Sequence, residues 1–171
     1  SAMTRSARCL LLFAIVAIAP ISFAKETKKA EMSAEESAVV AQLHEMQADF
    51  GPAKLEFVKQ QLKLTPDEEK RFWPVYEEHQ KALEALNKRR LDNILAYSRV
   101  YNAGHIESVP ADRMIKEAIS IEKDEAELMD DTFDKLRGWL DPTKMVMYLQ
   151  IESKLRAVVR IKQAANVPLA E

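Results

Sequence analysis

The side chains best suited to chemistry are three histidines, His44, His79 and His105, and a single cysteine, Cys9. Imidazole and carboxylate groups bind transition metals, so His44 with Glu45, or His105, could contribute to a site shared between helices or between two copies. The histidines lie on separate segments, and no local spacing joins them. Isolated histidines are the favoured interpretation, with His79 packed on an apolar stripe and one ring nitrogen hydrogen bonded.

Sequence motifs of catalytic sites are missing. The chain has no Gly-rich phosphate-binding loop, no Gly-x-Ser-x-Gly turn around a nucleophile and no His-Glu-x-x-His pair. No nucleophile, base and orienting group can be named together, so the sequence predicts a protein that is not an enzyme. No cofactor is predicted, and a transition metal is the one alternative.

Two helix-start signals stand 76 positions apart, at 64–68 (LTPDE) and 140–144 (LDPTK). Each has an apolar residue, then a Thr or Asp whose side chain can accept a hydrogen bond from a free backbone amide, then a proline at the first helical position. Thr65 with Glu68 also forms a capping-box pattern. The predicted cap residues are Leu64, Thr65, Pro66, Glu68, Leu140, Asp141 and Pro142.

The extents of the helices are predicted from apolar residues spaced three and four positions apart. A first helix starts near Ser33 and is interrupted at Gly51-Pro52, and a short helix covers 53–62. Longer helices are predicted over 66–102, 111–140 and 142–165. Pro74 is expected to bend or break the first of these three, because proline lacks an amide proton and clashes with the preceding turn.

The two longest helices are predicted to fold back near residue 106. In that register Arg90 and Glu122, the polar interruptions of the two apolar seams, face each other as an ion pair that sets the register, and Tyr97 faces Ile115. The two cap motifs are expected at opposite ends of this hairpin. The predicted fold is all-α, a long antiparallel helical hairpin with flanking N- and C-terminal helices.

Residues 1–24 are predicted to hold a cloning remnant, Ser1 and Ala2, followed by a secretory signal peptide. Arg5 and Arg8 precede an apolar run from 10 to 21, and small residues follow at 22 and 24. The sequence therefore predicts export to the periplasm, a flexible N-terminus at 25–32, a single helical domain at 33–171 and no stable membrane span after cleavage.

Charge narrows the range of partners. Taking Arg5 and Arg8 from the 25 basic residues leaves 23 against 27 acidic ones, a formal charge of −4, which gives no reason to expect nucleic acid. The predicted helix 111–140 is acidic, and the last helix, 142–165, is basic. A partner-binding surface on the last helix is predicted to involve Lys154, Arg156, Arg160, Met145 and Tyr148, with solvated faces as the simpler alternative.

An exported, all-helical chain with these two motifs resembles the Spy/CpxP family of periplasmic proteins, whose hallmark is a duplicated Leu-Thr-x-x-Gln motif. Here Glu68 and Lys144 stand in place of the glutamines, and Asp141 in place of the second threonine. The resemblance implies a homodimer of bent helical hairpins whose concave face holds unfolded envelope proteins without ATP.

Three functions follow as expectations. The first is an ATP-independent chaperone or envelope-stress adaptor that binds unfolded or partner proteins on a helical surface. The second is a transition-metal sensor or metal-resistance protein, because relatives in this superfamily bind metals through His, Glu and Met. The third is a non-catalytic regulatory partner of a membrane sensor or sigma-factor system.

Overall fold

The computed structural model describes Ala34, Ala41 and residues 51–165 and 167–170. Within these residues all regular structure is helical: α1 covers 51–62, α2 Pro66–Asn102, α3 Ser108–Leu136 and α4 Pro142–Ala164. The predicted all-α class is therefore confirmed. The predicted signal peptide and the polar segment at 25–32 lie outside the described residues.

Both predicted caps form. Thr65 Oγ1 accepts a hydrogen bond from the Glu68 amide at 3.3 Å, and Glu68 Oε2 accepts one from the Thr65 amide at 2.8 Å, which completes the capping box. At the start of α4, Asp141 Oδ1 accepts from the amides of Thr143 and Lys144 at 2.9 and 3.3 Å. These short-range bonds satisfy amides that have no partner inside the helix.

Replacing Asp141 by alanine is expected to lower the free energy of unfolding by about 1 kcal/mol, because two amides of α4 lose their acceptor. Asp141→Asn is the matched control, since an asparagine side chain caps a helix about as well without the charge. Urea denaturation of both variants gives the comparison. Equal stability of the alanine and asparagine variants would contradict this role of the side chain.

Several predicted helix boundaries need correction. Gly51 and Pro52 are themselves helical, so α1 begins earlier than Ala53. α2 continues without a break through Pro74. α3 ends at Leu136, four residues short of the prediction, because the backbone turns through Gly138 at φ +83°, a left-handed conformation that glycine adopts without strain.

The core lies where α1 and α3 end and α2 and α4 begin. We call this end of the molecule the base. Phe72 and Tyr148, the matching positions of the two capped helices, are both fully buried and pack edge to face with ring centroids 5.1 Å apart. The buried apolar residues of this cluster are Val58, Leu62, Phe72, Tyr76, Phe133, Leu136, Leu140, Tyr148 and Ile151.

The two cap motifs lie side by side at the base, so the prediction that they occupy opposite ends of the hairpin is wrong. Lys144 Nζ donates to Glu68 Oε2 at 2.6 Å and to the Lys63 carbonyl at 3.2 Å. The reason is topological: α3 returns the chain to the end at which α2 starts, and α4 begins there. The Lys144 bond, and then the bond to the Thr65 amide, lower the pKa of the Glu68 carboxyl.

α2 and α3 form the antiparallel hairpin, joined by a turn at 103–107. Arg89 Nη1 donates to Asp124 at 2.6 Å, and Asn93 donates to the Met114 carbonyl at 3.0 Å, so the two helices are paired about this turn. The side of α3 that faces α2 differs from the prediction. Ile115, expected opposite Tyr97, is 57 % exposed, whereas Ile121 is buried. Near the turn α3 is thus rotated by one position, or about 100°, relative to the prediction, while the predicted ion pair of Arg90 and Glu122 is present at 3.7 Å.

Candidate functional site

A buried carboxylate on α4, Glu152, joins three helices. Lys54 of α1 donates to Glu152 Oε2 at 2.7 Å, and Gln80 of α2 donates to Glu152 Oε1 at 2.9 Å. Lys54 also donates to Gln80 Oε1 at 2.7 Å. Lys54 and Glu152 are both buried, so the charges compensate each other away from water. We call Lys54, Gln80 and Glu152 the Glu152 cluster.

His79 lies beside this cluster and is only 2 % exposed. Its Nδ1 is 2.7 Å from Thr132 Oγ1, and the Thr132 hydroxyl donates its single hydrogen to the Leu128 carbonyl at 2.8 Å. The hydrogen between Nδ1 and Thr132 must therefore belong to His79. In the neutral ring Nε2 then carries a bare lone pair, 3.8 Å from Glu152 Oε2, with no hydrogen-bond partner among the described residues. The prediction of a packed histidine with one bonded nitrogen is confirmed.

Burial lowers the pKa of His79 below its ordinary value of 6.5, and the opposing attraction of Glu152 does not cancel this effect. The unfolded chain therefore binds a proton at a higher pH than the folded protein does. The stability that comes from keeping His79 neutral is fully present above about pH 6.5 and is lost as the pH falls below that value.

We expect the free energy of unfolding to fall more steeply between about pH 6.5 and 5 in the natural protein than in His79→Asn, which cannot titrate. Asparagine can still donate to Thr132, so the local bond is kept. Chemical denaturation at several pH values measures the two slopes. His105→Asn is the matched control, because His105 is exposed. Equal slopes for His79→Asn and the natural protein would contradict the assignment.

Tyr148 also borders the Glu152 cluster. Its ring is fully buried, and its hydroxyl has no hydrogen-bond partner within the described part of the chain. Burial, reinforced by the nearby Glu152 charge, raises the pKa of Tyr148. A core residue of this kind cannot contact a partner protein, so the predicted place of Tyr148 on a partner surface is wrong. Met145 likewise packs against the core.

A second buried carboxylate, Glu125 of α3, is surrounded by three arginines. It accepts from Arg90 at 2.5 Å and from Arg156 and Arg160 at 3.1 Å each. Burial alone would raise the pKa of Glu125, but the hydrogen bonds from Arg90 and Arg160 outweigh burial and lower it. Arg90 is 3.7 Å from Glu122, so Glu125 is its closer partner. We call Arg90, Glu122, Glu125, Arg156 and Arg160 the Glu125 cluster.

The arginines of α4 are therefore engaged inside the chain. Arg156 binds Glu125, and Arg160 binds both Glu125 and Glu122, the latter at 2.5 Å. The prediction that Arg156 and Arg160 form a surface for a partner protein needs correction, because the acidic helix that they meet is the chain's own α3. Lys154 is exposed and makes no ion pair with any described residue.

The carboxylates of both clusters are held by cations. Glu152 is bound to Lys54 and Gln80, and Glu125 to three arginines. These contacts join α1, α2, α3 and α4.

The described part of the structure does not place the predicted metal ligands in one site. His44 and Glu45 lie outside them, and His105 is exposed in the turn between α2 and α3. Across residues 51–165 and 167–170, no group of three or more His, Cys, Asp or Glu side chains could hold a metal ion.

Large apolar side chains are exposed on the outward faces of α3 and α4. Ile115 and Ile119 of α3 are 57 % and 51 % exposed, and Ile161 of α4 is 70 % exposed. The ion pair between Arg160 and Glu122 holds these parts of the two helices together. Val146, Leu149 and Val158 of α4 are also exposed. The sequence did not predict this surface, because Ile115 was expected to face Tyr97 inside the hairpin.

No protein-family model, no curated protein and no solved structure matches the chain. The resemblance to the Spy/CpxP family therefore stays a prediction from the two motifs. None of the helices in the described part of the chain is long and apolar enough to cross a bilayer.

Proposed function

We propose that the protein is a non-catalytic, ATP-independent chaperone or stress adaptor of the periplasm, which holds apolar segments of unfolded or partner proteins on its helical surface. The observation that carries this proposal is the set of apolar side chains exposed on α3 and α4, above all Ile115, Ile119 and Ile161. Exposed apolar patches on a folded protein are typical of surfaces that bind other proteins.

The distribution of burial supports the same function. The base is held by a packed aromatic core and by the Glu152 cluster, whereas no residue from 87 to 120 is buried. A rigid base with a thinly packed outer half suits a protein that must adapt to segments of different shape. Binding of this kind needs no nucleotide, which fits the compartment that the leader sequence predicts.

The experiment is suppression of aggregation. A reduced, unfolded test protein is mixed with the chain at stoichiometric amounts, and light scattering is followed with and without ATP. We expect the natural chain to suppress scattering equally in both conditions. The triple variant Ile115→Ser, Ile119→Ser, Ile161→Ser should suppress it several-fold less, because each replacement removes apolar contact area from the surface.

Phe57→Ser is the matched control, since Phe57 is an exposed apolar residue on α1, outside this surface. It should leave the suppression unchanged. Thermal melting of all variants shows whether the fold is kept. Failure of the natural chain with several unfolded proteins would contradict the function, and full activity of the triple variant would contradict the surface.

A further inference from the structure

Some charged side chains of α4 form ion pairs within the chain, and others have no partner among the described residues. Its only acidic residue, Glu152, is buried and bound to Lys54. Three of its cations find carboxylates within the chain: Lys144 binds Glu68, and Arg156 and Arg160 bind the Glu125 cluster. Lys154 and Lys162 are exposed and have no ion-pair partner among the described residues. Among the described residues, the exposed side of α4 therefore carries positive charge that no acidic side chain balances.

These cations border an apolar stripe. At 100° per residue, Val146, Ala157 and Ile161 fall within about 60° of one another on the outward side of α4, and the exposed Gln150 lies in the same sector. Lys154 lies about 20° beyond Ile161 at one edge of this stripe, Lys162 lies about 100° beyond Ile161 in the same direction, and the arginines that bind α3 lie on the other side. From Val146 to Ile161 the stripe is about 22 Å long, or four helical turns. We call this stripe with its two lysines the outer α4 face.

The inner side of α4 already binds a helix of matching chemistry. There Arg156 and Arg160 pair with carboxylates of α3, which is acidic and amphipathic. The outer α4 face has the same two elements, apolar side chains and bordering cations, but no helix covers it within the described residues. An acidic amphipathic helix would bury the apolar side chains and give each lysine a carboxylate.

We propose that the outer α4 face binds an amphipathic helical segment of another protein whose apolar stripe is bordered by Asp or Glu. This inference rests on the proposed function and narrows its partner class. Lys154 and Lys162 are eight residues apart, about 12 Å along the helix. A carboxylate of the bound helix beside Lys154 and a second one about 12 Å further along would meet the two lysines.

A bilayer with anionic lipids matches the charge less well. Surfaces that bind such lipids usually present clusters of four to eight cations and aromatic anchors. The outer α4 face has two unpaired lysines, and its large exposed side chains are aliphatic. The number of charges therefore favours a helix with a few carboxylates over a lipid surface.

The test uses three labelled 18-residue helical peptides with one shared Leu/Ile stripe and Glu, Gln or Lys at two edge positions seven residues apart. Fluorescence anisotropy gives their affinities for the full chain at low and high salt. Since each exposed pair contributes modestly, we expect the Glu peptide to bind about tenfold more tightly than the Lys peptide at low salt. Screening should shrink the difference at 0.5 M salt.

The double variant Lys154→Glu, Lys162→Glu should reverse this order of affinities. Lys81→Glu, Lys123→Glu is the matched control, because these lysines are exposed on α2 and α3 and the variant has the same net charge. The control should keep the preference of the natural chain, and thermal melting should show that both variants are folded.

The outcomes separate this inference from the proposed function. If all three peptides bind equally, or if Lys154→Glu, Lys162→Glu keeps the order of affinities, the inference is wrong, while suppression of aggregation can still establish the function. Binding of anionic vesicles without binding of any peptide would overturn it in favour of a lipid partner. If neither peptides nor unfolded proteins bind, both proposals fail.

Discussion

Lys54→Met is expected to lower the free energy of unfolding by about 3–5 kcal/mol, because it leaves the Glu152 carboxylate buried without its cation. Gln80 would be the one remaining donor to Glu152 among the described residues. A buried charge that loses its partner keeps the full cost of its removal from water. The variant should therefore unfold at a much lower urea concentration than the natural chain.

The double variant Lys54→Met, Glu152→Met is expected to regain most of that stability, since a buried ion pair can often be replaced by apolar side chains at little cost. Lys81→Met, at an exposed position of α2, is the matched control and should change the stability little. Equal destabilisation by the single and double variants would show that Lys54 acts through packing and not through its charge.

The second large effect is expected at Glu125. Glu125→Gln keeps the size of the side chain but removes the negative charge that three arginines share, and should cost about 2–3 kcal/mol. Glu127→Gln, two residues further along α3 and exposed, is the matched control. Thermal and urea denaturation measure both. A change below about 1 kcal/mol for Glu125→Gln would mean that water or Glu122 compensates the arginines.

The pH dependence of stability should report on the same interaction between Glu125 and its arginines. The pKa of Glu125 is lowered in the folded protein, so its stabilising effect is present above the unfolded value of about 4.5 and is lost as the pH falls through the folded pKa. In Glu125→Gln this contribution to acid sensitivity is absent. The stability difference between the two proteins should therefore shrink as the pH is lowered below 4.5.

The helix starts could be predicted because their causes are local. Thr65 and Asp141 bond to amides within three residues, and no distant part of the fold is needed. The antiparallel pairing of α2 and α3 followed from the short turn between them. The rotation of α3 could not be predicted from spacing alone, because apolar residues occur on two of its sides. Which side is buried depends on α4, whose arginines bind Glu122 and Glu125.

The buried charges were not predicted, because an isolated Lys or Glu on a helix usually faces water. One local signal existed for Lys54: it lies four and eight residues before Val58 and Leu62, on the face of α1 that enters the core. Glu152 similarly follows Ile151 and lies one turn after Tyr148. Glu125 and Glu152 are each stabilised by cations from other helices. Such partners can be identified only in the folded chain.

The concentration of the core at the base implies a gradient of stiffness along the molecule. Backbone amides of α2 and α3 near the turn at 103–107 have no buried side chains around them, whereas those near Phe72 and Phe133 do. Local openings should therefore start at the turn and spread toward the base. Ile115 and Ile119 lie in the compliant part, so the surface can change shape while the base keeps the helices in register.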